Sequence, residues 1–127
     1  KSVLIVDDSI VRGNTSKKIV EMVRNQGAKN VYFASAAPPV RYQNVYGIDM
    51  PATKELVAHG KTVEEIRQFM GADELIYQDI EDLRMAAHIG NPEITQFEDS
   101  VFTGKYCAGK ISEEYLSQLE ISRSSKE

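Results

Sequence analysis

Apolar residues follow two patterns along the chain, short continuous runs and helical spacing. Residues 3–6 (Val-Leu-Ile-Val) and 31–34 (Val-Tyr-Phe-Ala) are continuous apolar runs, which is typical of strands buried on both faces. Between them, apolar residues recur at helical spacing, and we expect Thr15 or Ser16 to cap a helix that ends near Gln26. A strand, a helix and a strand in this order predict a βαβ unit with parallel strands.

The rest of the chain predicts smaller elements separated by loops. Pro38 and Pro39 exclude a helix directly after the second strand, because a residue before proline avoids the helical conformation. Thr62 and Glu65 form a capping box for a helix that ends near Met70. The other predicted elements are a strand at 45–48, a short helix at 51–58, a strand at 75–77, a helix from Asp79 to about His88, an irregular segment at 93–106 and a helix from Ser112 to about Leu119.

These elements predict an α/β fold with an incomplete parallel sheet and peripheral helices towards the C-terminus. A length of 127 residues suits one domain. We expect that domain to occupy residues 1–121 and the polar residues 122–127 to form a disordered tail. The chain enters a strand directly after Lys1, and a buried parallel strand needs neighbours. We therefore expect the chain to be part of a longer protein.

Composition and charge exclude several classes of protein. The net charge of −4 argues against a nucleic-acid partner, because sequence-independent binding requires a basic face. No apolar run approaches the roughly 20 residues of a membrane helix, so we expect no membrane partner. The single cysteine, Cys107, cannot form an internal disulfide, which fits a reducing cytoplasm. The sequence therefore predicts a cytoplasmic globular protein.

The segment that follows the first strand carries the candidate chemistry. Asp7 and Asp8 lie at the carboxyl end of that strand, where open α/β sheets bind ligands. Gly13 lets backbone N–H groups approach an anion, and Thr15 and Ser16 lie at a helix N-terminus, which favours phosphate. A ribose phosphate has the hydroxyl and phosphate groups that such a site requires. The plainer interpretation is that the aspartates cap the loop and the glycine makes a turn.

The string over residues 3–16 resembles the phosphoribosylpyrophosphate motif of type I phosphoribosyltransferases. Further segments narrow the resemblance to glutamine phosphoribosylpyrophosphate amidotransferases, and they occur in the order of that family over residues 3–119. These segments are residues 7–13 (Asp-Asp-Ser-Ile-Val-Arg-Gly), 32–38 (Tyr-Phe-Ala-Ser-Ala-Ala-Pro), 46–49 (Tyr-Gly-Ile-Asp), 75–79 (Leu-Ile-Tyr-Gln-Asp) and 102–106 (Phe-Thr-Gly-Lys-Tyr).

The resemblance implies an enzyme of purine synthesis. The family transfers glutamine-derived ammonia to phosphoribosylpyrophosphate, which gives 5-phosphoribosylamine in the first committed step of the pathway. By resemblance, Asp7 and Asp8 are the catalytic pair, which holds the ribose hydroxyls and places Mg²⁺. The implied binding residues for the sugar phosphate are Asp7, Asp8, Ser9, Arg12, Gly13, Asn14, Thr15 and Ser16. Asn14 stands where the family pattern has threonine, and it still offers hydrogen-bond donors.

The resemblance also carries expectations about regulation and assembly. Purine nucleoside monophosphates are implied feedback inhibitors, and a homo-oligomer is implied for the full-length enzyme. An iron–sulfur cluster requires four thiolates, but the corresponding positions hold Asn44, Glu98 and Val101 beside Cys107, so we expect no cluster. By resemblance, we expect this chain to lack the glutaminase domain and the pyrophosphate-binding loop of the family, and to be inactive when isolated.

Other classes of protein share part of this pattern. A response-regulator receiver also has two aspartates after its first strand, with Asp49 as the phosphoacceptor and Thr103 and Lys105 as later site residues. That fold would put Gly13 inside a helix, at a cost of about 1 kcal/mol. Another type I phosphoribosyltransferase would share the loop but differ after residue 30. A structural or interaction module would bind no ligand at the loop.

Overall fold

A computed structural model describes residues 1–125 as a parallel sheet with helices on one of its faces. The elements in chain order are β1 (Ser2–Asp7), α1 (Asn14–Asn25), β2 (Asn30–Ser35), a 3-10 helix (Thr53–Glu55), α2 (Val63–Met70), β3 (Glu74–Tyr77), α3 (Ile80–Gly90), α4 (Ser100–Thr103) and α5 (Glu113–Ser124). No helix among the described residues is long and apolar enough to cross a membrane.

The sheet confirms the predicted α/β class. Its order is β1-β2-β3, and both pairings are parallel. The unit β1–α1–β2 is the predicted βαβ unit, and α2 forms a second crossover between β2 and β3. In the register, Asp7 lies opposite Ser35, which lies opposite Tyr77. The carboxyl ends of all three strands therefore meet at one edge of the sheet.

The hydrophobic core lies between one face of the sheet and helices α1 and α2. The side chains of the core are almost completely buried. Burial of each of the larger aliphatic and aromatic side chains stabilises the fold by roughly 1.5–3 kcal/mol. The core residues are Ile10, Val20, Val31, Phe33, Val57, Ala58, Ile66, Met70, Ala72 and Leu75. Ile10 belongs to the loop after β1, so the core also anchors the segment with the candidate chemistry.

The opposite face of the sheet is exposed in the described residues. Leu4 and Val6 of β1 are 59% and 69% exposed, and Ile76 of β3 is 55% exposed. The expectation that β1 is buried on both faces is therefore wrong for the described residues. The physical reason is that α1 and α2 both pack against the face that carries Phe33 and Leu75, which leaves the alternate side chains without a covering layer.

Two helix starts follow the local capping signals. Thr62 Oγ1 accepts the Glu65 N–H at 3.2 Å, and Glu65 Oε2 accepts the Thr62 N–H at 2.7 Å. This is the predicted capping box of α2, and Gly71 follows the helix with a left-handed backbone. Asp79 Oδ1 accepts the Glu81 N–H at 2.8 Å and caps α3 as predicted.

The segment after β2 departs from the prediction. Residues 45–48 do not form a strand, because Asn44 Oδ1 accepts the N–H groups of Tyr46 and Ile48 at 2.9 and 3.0 Å. These bonds fold the backbone into a turn. The helix predicted at 51–58 is the 3-10 helix Thr53–Glu55, and the irregular segment 93–106 contains the four-residue helix α4.

Helix α5 is longer than predicted. Its start is capped by Ser112 as expected, since Ser112 Oγ accepts the Tyr115 N–H at 3.1 Å, but it extends beyond Leu119 to Ser124. The extra turn carries Arg123, whose guanidinium donates to the Asn44 carbonyl at 3.0 Å. Residues 122–124 are therefore helical rather than part of a disordered tail. Residues 126 and 127 of that predicted tail lie outside the described residues.

Candidate functional site

The two aspartates at the carboxyl end of β1 are fixed by backbone pairing that continues beyond the strands. The Asp7 carbonyl accepts the Ala36 N–H and the Asp8 carbonyl accepts the Ala37 N–H, each at 2.9 Å. These bonds continue the β1–β2 ladder past its last paired residues. Asp7 is half-buried and Asp8 is exposed, so both carboxylates lie at the accessible carboxyl edge of the sheet.

The two carboxylates are ordered by their neighbours. Asp7 Oδ1 accepts the Asp8 N–H at 2.9 Å, and Asp8 Oδ1 accepts the Ser9 hydroxyl at 2.9 Å. Ser9 therefore orients Asp8. Among the described residues no partner is recorded for the Oδ2 atom of either aspartate, and each carboxylate keeps one oxygen for a ligand.

Two adjacent carboxylates fit magnesium that arrives with a phosphorylated ligand. The described part of the chain contains no group of three or more His, Cys, Asp or Glu side chains that is arranged to hold a metal. Magnesium in proteins usually keeps several waters and is held by one or two carboxylates together with substrate phosphates. Asp7 and Asp8 supply the two carboxylates that such an ion would need, and the remaining ligands would come from water and the substrate phosphates.

The loop between Asp8 and α1 is fastened to the core at its middle and its end. Ile10 is 1% exposed, and the Val11 carbonyl accepts the Val57 N–H at 2.9 Å. Gly13 has a φ of 77°, and a Cβ atom placed on it would lie 3.0 Å from Val57 Cγ2 and 3.2 Å from Phe69 Cε1. Glycine is required here for both the backbone conformation and the close packing.

Helix α1 begins two or three residues earlier than predicted. Its N-cap is Gly13, and the Gly13 carbonyl accepts the Lys17 N–H at 2.9 Å. The expectation that Thr15 or Ser16 caps the helix is therefore wrong, because the left-handed glycine already turns the chain into the helix. Asn14 and Thr15 are exposed in the first turn, and Ser16 is buried beside them.

The N-terminus of α1 differs from those of the other helices with eight or more residues in the described chain. Helices α2, α3 and α5 each have a side-chain cap, supplied by Thr62, Asp79 and Ser112, and each has two acidic residues in the first turn. Helix α1 has no side-chain cap and no acidic residue in its first turn. Its partial positive charge is therefore not compensated by its own side chains, as an anion site requires.

Basic side chains surround this helix end. Arg12 is exposed, and its Nε donates to Glu55 Oε1 at 3.1 Å. The ammonium groups of Lys17 and Lys61 lie 5.2 and 5.6 Å from the centre of the Phe69 ring, within the range of a cation–π contact. Since Phe69 packs beside Gly13, these lysines add positive charge close to the loop.

All the predicted site residues lie on one continuous segment, from the last residue of β1 to the first turn of α1. Sequence reasoning missed the residues that support the turn from elsewhere, namely Glu55, Val57, Lys61 and Phe69. No local pattern identifies them, because the first two and Phe69 contact the loop from more than 40 positions away in sequence. Lys61 reaches it only through Phe69. Only the fold places them there.

The positions considered for an iron–sulfur cluster have other roles in the described chain. The Asn44 side chain accepts the two N–H groups of the turn after it. Glu98 Oε1 accepts the Ser100 N–H at 2.9 Å, and the Cys107 thiol donates to Glu98 Oε2 at 3.8 Å. The Val101 carbonyl accepts the N–H groups of residues 41 and 42. The absence of a cluster stays a prediction.

A cavity of about 880 Å³ lies elsewhere, between α3 and residues 95–107. Arg84, which lines it, is paired with Asp99 and Glu81, which also line it. Hydrogen bonds from Arg84 to Asp99 hold the pKa of Arg84 above its usual value. We assign the candidate ligand site to the β1–α1 loop, because the loop combines oriented carboxylates with an uncapped helix end.

Comparison with known proteins gives consistent matches in sequence. The chain is 56% identical to the amidophosphoribosyltransferase of Haemophilus influenzae and 58% identical to that of Escherichia coli, over 97% of the chain and 24% of each relative. It is 51% identical to that of Saccharomyces cerevisiae, over 98% of the chain and 24% of the relative. No family model matches the chain.

Solved structures give the same result. The glutamine phosphoribosylpyrophosphate amidotransferase of Bacillus subtilis, in complex with ADP and GMP, superposes with a TM-score of 0.75 and 38% identity over 88% of this chain and 25% of that one. A second structure, described as the allosteric regulatory enzyme of purine biosynthesis, has a TM-score of 0.75 and 36% identity over 94% of this chain and 26% of that one.

The comparisons decide between the open alternatives. They give no support to a response-regulator receiver, and Asp49 lies in a loop rather than at the end of a strand. The chain spans about a quarter of the length of the relatives that it matches. The resemblance seen in the sequence and the α/β phosphoribosyltransferase fold are both confirmed. The chain therefore corresponds to a C-terminal region of the amidophosphoribosyltransferases and has the fold of that region.

Proposed function

We propose that this chain is the sugar-phosphate-binding part of an enzyme that transfers glutamine-derived ammonia to phosphoribosylpyrophosphate. The product is 5-phosphoribosylamine, and the reaction opens purine synthesis. The observation that carries the proposal is the N-terminus of α1, which has neither a side-chain cap nor an acidic first turn and directly follows the loop that begins with the Asp7–Asp8 pair. The proteins that share this region are named for that activity.

In this proposal the phosphate of the ligand binds at the start of α1. The backbone N–H groups of residues 13–16 point along the helix axis towards the anion, and the helix dipole adds about half a positive charge. The exposed side chains of Asn14 and Thr15 supply further donors. Arg12 supplies a guanidinium, which suits bidentate recognition of phosphate.

Asp7 and Asp8 bind the ribose in the same proposal. A carboxylate accepts hydrogen bonds from sugar hydroxyls, and each aspartate keeps one oxygen unoccupied by the described residues. Magnesium, when bound with the substrate, neutralises the charge of the departing pyrophosphate. The carboxylates face a ribose that becomes cationic as pyrophosphate leaves, so their preorganised negative charge favours that state.

Regulation and assembly are also proposals for this chain. The Bacillus subtilis relative was solved with ADP and GMP, and a purine nucleoside monophosphate carries the same ribose 5-phosphate as the substrate. We infer that such nucleotides compete for the loop. We further propose a cytoplasmic enzyme that forms a homo-oligomer at full length and has no nucleic-acid or membrane partner.

Calorimetric titration of phosphoribosylpyrophosphate with magnesium tests the proposal. Wild type is compared with the double variant Asp7→Asn/Asp8→Asn and with Asp49→Asn, an exposed carboxylate away from the loop. We expect saturable binding by wild type and Asp49→Asn and its loss in the double variant. Binding that survives in the double variant contradicts the assignment of the loop. Equal loss in Asp49→Asn would show that the effect of the double variant is not specific to the loop.

A further inference from the structure

Arg12 of the β1–α1 loop is bound by Glu55 along one edge of its guanidinium. Its Nε donates to Glu55 Oε1 at 3.1 Å, and the Arg12 side chain is 53% exposed whereas that of Glu55 is 20% exposed. Among the described residues no partner is recorded for the two terminal amino groups of Arg12. Glu55 therefore fixes the group from the protein side, and the outer edge remains open to an oxyanion.

Glu55 is itself held in place by the 3-10 helix to which it belongs. Its second oxygen, Oε2, accepts the Ala52 N–H at 3.0 Å. Two residues later, the Val57 N–H donates to the Val11 carbonyl at 2.9 Å. The segment that carries Glu55 is thus joined to the β1–α1 loop at two points, through the Glu55 side chain and through the Val57 backbone.

Helix α5 holds the other end of this 3-10 helix. Glu120 Oε2 accepts the Thr53 N–H at 2.8 Å, and Glu120 Oε1 accepts the Lys54 N–H at 3.4 Å. The Gln43 side-chain amide also donates to Glu120. Because Glu120 caps the 3-10 helix from a helix more than 60 residues away in sequence, the position of Glu55 depends on the docking of α5.

We propose that Glu55 is a positioning residue that preorders Arg12 for the ligand's phosphate, and that Glu120 of α5 acts on the phosphate site through Glu55. This inference rests on the proposed function and extends it to the control of that site. An arginine side chain loses much rotamer freedom when it binds, and a group that is already ordered binds more tightly because that cost is met before the ligand arrives.

The test is a double-mutant cycle on the affinity for ribose 5-phosphate, measured by calorimetry on the full-length protein that carries this chain. Glu55→Ala is made in wild type and in an Arg12→Ala background, with Glu55→Gln as the conservative variant. We expect Glu55→Ala to weaken binding about three- to fivefold in wild type and to have no effect when Arg12 is absent. Glu55→Gln, whose single amide oxygen can keep the bond to Arg12 but not the bond to Ala52 as well, retains part of the affinity.

Each outcome decides one part of the proposal. Equal weakening by Glu55→Ala in both backgrounds, or none in wild type, overturns the positioning role and leaves the proposed function standing. No binding of ribose 5-phosphate by wild type overturns the proposed function and the inference with it. Glu120→Ala is expected to weaken binding in wild type and to add nothing in the Glu55→Ala background, and an additive effect would contradict the route through Glu55.

Discussion

At the scale of single residues, several charged side chains of this chain bind backbone groups that lie far away in sequence. Arg41, which follows the two prolines, donates to the carbonyls of Ala58 and Lys61. Asp73 accepts the Val31 N–H at 2.7 Å, and this bond holds the pKa of Asp73 below its usual value. Such contacts join segments that are many residues apart in the sequence.

Gly13 is the residue whose replacement the structure constrains most sharply. In Gly13→Ala the left-handed backbone costs about 1–2 kcal/mol, and the new Cβ, 3.0 Å from Val57 Cγ2, adds an overpacking cost of roughly 1–3 kcal/mol. We expect a loss of unfolding free energy of about 2–5 kcal/mol in urea denaturation, together with loss of ribose 5-phosphate binding.

Gly27→Ala is the matched control for this prediction. Gly27 also has a positive φ, 92°, but a Cβ atom there meets nothing within 4 Å. It therefore measures the backbone cost without the packing cost, and we expect a loss of about 1–2 kcal/mol. Equal losses in the two variants would show that Val57 and Phe69 move aside at no cost.

The position of the candidate loop could be predicted from the sequence because its residues are contiguous. Asp7, Asp8 and Gly13 belong to one string in which strand, turn and helix signals agree, so local patterns alone place the turn between the strand and the helix. Glu55 and Lys61 could not be predicted, since nothing local distinguishes them from other surface charges. Their relation to the loop arises from packing across the core.

At the scale of elements, helix starts were predictable where a cap is local. Thr62 and Glu65, three residues apart, form the capping box of α2 from their own side chains. The predicted bounds of elements are wrong where side-chain contacts outside the local capping signals determine the backbone conformation. Asn44 turns the segment predicted as a strand, and Arg123 and Glu120 extend α5 by binding the 43–54 region.

The docking of α5 is expected to depend on acid pH through Glu120. Burial raises the pKa of this carboxyl, but the hydrogen bonds from the Thr53 and Lys54 N–H groups outweigh it, and the pKa lies below its usual value of 4.5. A carboxyl whose folded pKa is depressed contributes stability above its unfolded pKa and loses it as pH falls through the folded pKa. The contribution of Glu120 to the docking of α5 is therefore lost progressively as pH falls below 4.5.

Amide chemical shifts of Thr53 and Lys54, followed by NMR during acidification from neutral pH, test this expectation. We predict a transition with its midpoint below 4.5 in wild type and none in Glu120→Gln, which cannot titrate. A midpoint at or above 4.5 would mean that burial outweighs the hydrogen bonds. A transition that persists in Glu120→Gln would assign the titration to another carboxylate.

At the scale of the whole molecule, the sheet is covered on one face only within the described residues. Leu4, Val6 and Ile76 form an apolar strip on the other face, although the continuous apolar runs predicted burial on both. The positions of β1, β2 and β3 and their parallel pairing were predictable, since they depend on local runs and on the order of elements. The face that α1 and α2 cover could not be predicted, because both faces of β1 are equally apolar.

The central claim is that the N-terminus of α1 binds the phosphate of a ribose 5-phosphate group. Backbone amide shifts measured by NMR during a titration with ribose 5-phosphate and magnesium test it most directly. We predict saturable shifts at residues 13–16 and none at the capped starts of α2, α3 and α5 at residues 63–65, 80–82 and 113–115. Shifts at those capped helices with none at residues 13–16 would contradict the claim.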